Sequence, residues 1–228
     1  MASESISAVS GARLPSGRLA GASIALAWLL SLGFMAHHPV IHGHGLENLV
    51  TEMQRQAAAD RIVHGALIGL LGFLLHGFTC LASRLGLDSF VVRAGLIAYA
   101  MAAGGMVAAA LADGFITPEF IGRFHGRPTA ELETMKEIMA FCGVGIRVCT
   151  RFGVVAMSIA VVLWSVALLR GHGLVRAVGI LGWLAGAAPL FAMPMGLLPM
   201  EVNGVLAFML AQAAWSGAVA MLLVRGDV

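Results

Sequence analysis

Six stretches of this chain are apolar for the length a helix needs to cross a bilayer, and nothing else in the sequence limits the fold so strongly. A span takes roughly 20 apolar residues, within a range of about 17–25. The stretches cover 19–36, 62–82, 90–112, 152–169, 177–198 and 202–224. None alternates polar with apolar residues as the strands of a membrane barrel do. Lipid-exposed backbone must satisfy its own hydrogen bonds. The expected fold is therefore all-α, a polytopic bundle of six transmembrane helices. One membrane domain over 19–228 follows a polar, Ser-rich and mobile tail over 1–18. The first stretch exceeds a signal-peptide core, and Phe34 sits at the minus-three position of any cleavage after Ala36. An uncleaved first helix is expected.

Composition removes the competing classes. Charged residues make up 11% of the chain and hydrophobic ones 59%, whereas soluble domains carry about 25% charge. Disorder is excluded by the same numbers. A net charge of +2 gives no reason to expect a nucleic-acid partner. Cys80, Cys142 and Cys149 show no metal or disulfide spacing and read as small hydrophobes. The lipid bilayer is the expected partner, with a membrane protein or a second copy of the chain as a further one.

The short connections 83–89, 170–176 and 199–201 make the helices they join antiparallel neighbours. Two connections are long, 37–61 and 113–151. Within the second, Thr129 starts a helix with Glu131 and Glu133 in its first turn, where the dipole favours acids. Leu132, Met135, Met139, Cys142 and Ile146 then recur at helical spacing. This predicts an amphipathic helix on the membrane or over the bundle, bent at Gly143 and Gly145 before the fourth span. Two small-residue stripes predict close helix contacts: Gly65, Gly69, Gly72 and His76, then Gly95, Ala98, Ala102 and Gly105. Pro189 and Pro194 should kink the fifth span, and Gln212 in the sixth reads as an interhelical hydrogen-bonding group.

Six spans place both termini on one side. The basic residues divide evenly between the two faces, but those on the terminal side lie in short loops and tails beside the spans. The positive-inside rule then makes both termini cytoplasmic, in a plasma or inner membrane. Of the 12 acidic residues, Glu4, Asp88 and Asp227 lie on that side and the rest face the other way.

Histidine supplies the sharpest chemistry. Of the eight histidines, His37, His38, His42, His44, His64 and His125 fall on the face with the long loops. Residues 37–45 read His-His-Pro-Val-Ile-His-Gly-His-Gly. Clustered imidazoles suit zinc, copper or iron, and the glycines let a loop close around an ion. Asp60 precedes His64 by one helical turn as a ligand or supporting carboxylate. Asp113 closes the third span, with Gly114 after it. A carboxylate there opposes the helix dipole and calls for a partner: a bound cation, Arg147 or Arg151. Asp113 and Glu119 are the candidate general bases. His76, deep in the second span, reads as a polar link between helices; a haem b axial ligand is the weaker cofactor alternative. HExxH, repeated HxxHH and GxSxG motifs are absent.

These features point to a transition-metal site, or a haem, on the non-cytoplasmic face, serving binding, redox or metal-assisted chemistry. Whether the protein is an enzyme is left open; an apolar tunnel reaching the metal would favour chemistry on a lipid substrate. The alternative is an accessory subunit with no cofactor, docking through its glycine-rich helix faces.

Overall fold

The computed structural model describes residues 17–38, 45–200 and 202–228. His42, His44 and nearly all of the tail expected to be mobile lie outside the described residues. The elements are α1 (Gly17–Ala36), α2 (Leu46–Leu85), α3 (Phe90–Leu111), α4 (Thr117–Gly122), α5 (Thr129–Leu168), α6 (Gly173–Ala192) and α7 (Val202–Arg225). There is no strand among the described residues. Six helices are long and apolar enough to cross a membrane, as the hydropathy pattern predicts. The protein is a six-helix membrane bundle.

The helices run alternately up and down around a closed ring. Each of α1, α2, α3, α5, α6 and α7 packs on the next, and α1 closes the circle against α7. The Arg84 guanidinium, at the end of α2, donates to the Val228 carbonyl at 2.7 Å and ties the C-terminus to that end of the ring.

Two helices outrun the apolar stretches that announced them. α2 and α5 each hold 40 residues, about 60 Å at 1.5 Å per residue, against a hydrocarbon core of about 30 Å. The expected loop over 37–61 is mostly helix. The amphipathic segment after Thr129 runs straight into the fourth span, with no break at Gly143 or Gly145. The protruding halves of α2 and α5 enclose a second small core with α4, built on Val50, Ile121, Leu132 and Met135. Leu132 and Met135 lie on the predicted apolar face, which is thus covered by protein.

The third span also continues where a stop was expected. A five-residue π turn, Ala112–Ile116, joins α3 to α4, and the Thr117 N–H reaches back five residues to the Ala112 carbonyl. Gly114 does not cap a helix. It is buried, and a Cβ there would collide with the His64 ring. In contrast, α6 stops earlier than its apolar stretch, at Ala192. Gly196 adopts φ 72°, the Leu197 N–H bonds the Ala192 carbonyl at 2.9 Å and the Gly196 N–H bonds that of Met193 at 3.0 Å. That is a Schellman ending.

Of the two small-residue stripes, one packs. Gly95, Ala102 and Gly105 are buried, and Gly95 lies against Trp164 of α5. On α2, however, Gly69, Gly72 and His76 are exposed on the outside of the ring, and a Cβ on either glycine would meet nothing within 4 Å. The periodicity is the same in both helices, but α2 turns its leucines inward instead. Gln212 of α7 donates to the Ala185 carbonyl of α6 at 3.1 Å, the interhelical bond expected of it.

Candidate metal centre

Three elements bring chemistry together at the end of the ring remote from Gly17 and Val228. The last residues after α1 carry His37 and His38; α2 presents Asp60 and His64 one turn apart; the π turn presents Asp113. The His64 side chain is 7% exposed and lies between two carboxylates. Its Nδ1 is 3.1 Å from Asp60 Oδ1 and 3.0 Å from the Asp60 carbonyl. Its Nε2 is 3.4 Å from Asp113 Oδ2. His38 approaches from α1, with Nε2 3.9 Å from Asp60 Oδ1. Its ring meets that of His64 edge to face, at 5.1 Å between centroids.

Donor atoms of His38, Asp60 and His64 all lie within 4.8 Å of one another. Tetrahedral ligands at zinc-like bond lengths sit about 3.4 Å apart. The observed 3.1 and 3.9 Å to Asp60 bracket that spacing. Charge points the same way: Asp60 and Asp113 place two carboxylates around one imidazole. Protonating His64 cancels only one of them, whereas a divalent cation between neutral imidazoles cancels both.

The cluster forms a wall between two cavities. On one side is a small polar one of about 70 Å³, lined by His38, Asp60, Asp113 and Thr117 among others. The Thr117 hydroxyl is buried there with no hydrogen-bond partner among the described residues. On the other side His38, His64 and Asp113 border a larger cavity of about 300 Å³ that reaches into the bundle. Gly114 makes this arrangement sterically feasible, since only a residue without Cβ lets the π turn lie this close to His64.

The remaining candidates fall elsewhere. His37 turns back onto its own helix, with Nδ1 2.9 Å from the Gly33 carbonyl. Glu119 pairs with Arg61 at 3.2 Å on the exposed surface, so its carboxylate has a solvent-side role instead of a place in the cluster. His125 is exposed in the turn after α4 and does not belong to the group. Asp113 finds its partner in His64 and pairs with neither Arg147 nor Arg151 among the described residues, because the π turn aims it at α2. The outward position of His76 corrects the interhelical role expected for it. An axial role in haem b would need a partner from outside this bundle. Thr117 went unnoticed in the sequence, although it follows Asp113 by one turn and so shares its face.

No family model matches the chain, and neither curated proteins nor solved structures provide a match. Fold and geometry therefore define its class alone: a polytopic helical membrane protein with a His/Asp group at one end of its ring.

Proposed function

We propose that the protein binds a transition metal, zinc, copper or iron, through His38, Asp60 and His64, for binding, redox or metal-assisted chemistry. The observation that carries this reading is the pair of carboxylates on the two nitrogens of His64. A metal taken at Nδ1 would leave the Nε2 proton for Asp113. That carboxylate–histidine–metal arrangement fixes ring orientation and raises ligand basicity. The mixed nitrogen and oxygen donors suit borderline divalent ions. His42 and His44 follow in the same stretch of sequence and would supply further donors. The distribution of basic residues supports a non-cytoplasmic position for the site, with both termini cytoplasmic in a plasma or inner membrane.

Elemental analysis of detergent-purified protein tests the proposal. Stoichiometric metal is expected, and its loss in His64→Ala. Wild-type protein that stays metal-free after incubation with zinc, copper and iron salts would sink it. One observation favours a second reading, that of an accessory subunit without cofactor. The α2 stripe of Gly69, Gly72 and His76 faces outward, as a docking face would. Reproducible co-purification of one membrane partner with metal-free protein would select it.

A further inference from the structure

The larger cavity is a slot of defined length. Its lining runs from His38 to Trp28 on α1, from His64 to Leu74 on α2 and from Arg147 to Met157 on α5. Each path covers ten residues, about 15 Å at 1.5 Å per residue. All three begin at the cluster and end among apolar side chains, so the slot has one polar end and one apolar end. Below Leu74 the next turn of α2 carries Phe78, which is 1% exposed and closes the floor.

Length and volume together set the width. A volume of about 300 Å³ over about 15 Å leaves a cross-section of about 20 Å². One extended hydrocarbon chain fits that mean section. Among the residues lining the polar end, Arg147 is the single arginine or lysine, and it is exposed at the mouth. Of the neighbouring carboxylates, Glu119 pairs with Arg61 and Asp60 and Asp113 share His64; none pairs with Arg147 among the described residues. An anionic head therefore has one guanidinium to meet, and guanidinium–carboxylate hydrogen bonds are the strong, charge-assisted kind. Methionines lining the walls, Met106 and Met209 among them, adapt to a flexible chain.

We infer that the slot binds a medium-chain fatty acid, with its carboxylate at Arg147 at the cluster end and its tail running to Trp28. As a statement of what is presented to a metal, this rests on the reading above; as a statement of binding, it rests on the slot and Arg147 alone.

An acyl probe brominated at its far end separates the two. Titrating the protein with ω-bromododecanoic acid, in a sterol-based detergent that carries no alkyl chain, should quench tryptophan fluorescence saturably. The quenching should fall markedly in Trp28→Phe, leaving only what reaches Trp164 and Trp215 behind the Phe78 floor. Ala109→Leu, which fills the slot, should weaken binding at least tenfold with metal content unchanged. The corresponding bromo-alcohol should bind about tenfold more weakly than the acid, and Arg147→Gln should abolish that difference. Chelator-treated protein should still bind the acid, so a failed metal reading leaves this test intact. Unsaturable quenching, quenching undiminished by Trp28→Phe, or equal binding of acid and alcohol by the wild type would each overturn the assignment.

Discussion

Around Phe78, Tyr99, Trp164 and Trp215 the helices meet ring to ring, with centroids 4.7–6.3 Å apart and all four side chains essentially inaccessible. Fourteen residues further along the same α2 and α3, about 21 Å away, His64 and Asp113 border open space. One end of the ring is solid and the other hollow, although the same helices build both. In a bilayer, apolar surface gains little by leaving lipid for protein, so helix association depends on close packing. The aromatic stack supplies that packing and holds the helices in register where the cavity cannot. Stability and chemistry are thereby assigned to opposite ends of shared helices.

The contrast can be broken most directly at the stack. Trp164→Ala removes a ring stacked on two neighbours and a hydrogen bond to the Val92 carbonyl at 3.3 Å. It should cost about 3–5 kcal/mol, read as a lowered unfolding midpoint in detergent. A paired truncation sharpens the point. Leu81→Ala, in the solid half, should cost about 2–5 kcal/mol, whereas Leu71→Ala, which only widens an existing cavity, should cost under about 2. Equal losses would mean that the hollow is filled by packing in solution. Next comes Asp113→Asn, with a fall in metal affinity of about 10–100-fold and an unchanged unfolding midpoint, measured by chelator competition. Smallest of all is Arg61→Gln: its pair with Glu119 is exposed, so a stability change within about 1 kcal/mol is expected, with metal content untouched.

The sequence made the spans legible because hydropathy over 20 residues is a property of each helix alone. It hid whatever depends on two helices at once. The glycine stripes of α2 and α3 share one spacing, yet one packs and the other faces outward; that choice belongs to the neighbours. Polar residues of 46–61 and 129–151 concealed the true length of α2 and α5, since a helix that leaves the membrane need not end there. Asp60 and His64 were recognisable as a pair because one turn separates them. The link from His64 to Asp113 spans 49 positions and passes through a π turn, and Gly114 advertised a stop when its role was close approach. Glu119 and His125 were equally plausible by residue type, but only side-chain direction separates them from the cluster.

The π turn has a consequence for how such a site can arise. It is an α-helix with one residue more than regular bonding requires. Deleting one residue of Ala112–Ile116 would restore regular winding and leave the helices on either side almost in phase, because the π turn fits five residues where an α turn fits four. The wide turn that sets Asp113 and Gly114 against His64 would then be lost. A bundle with this arrangement and one without it thus differ by a single codon, and no span need change for the site to appear or be lost.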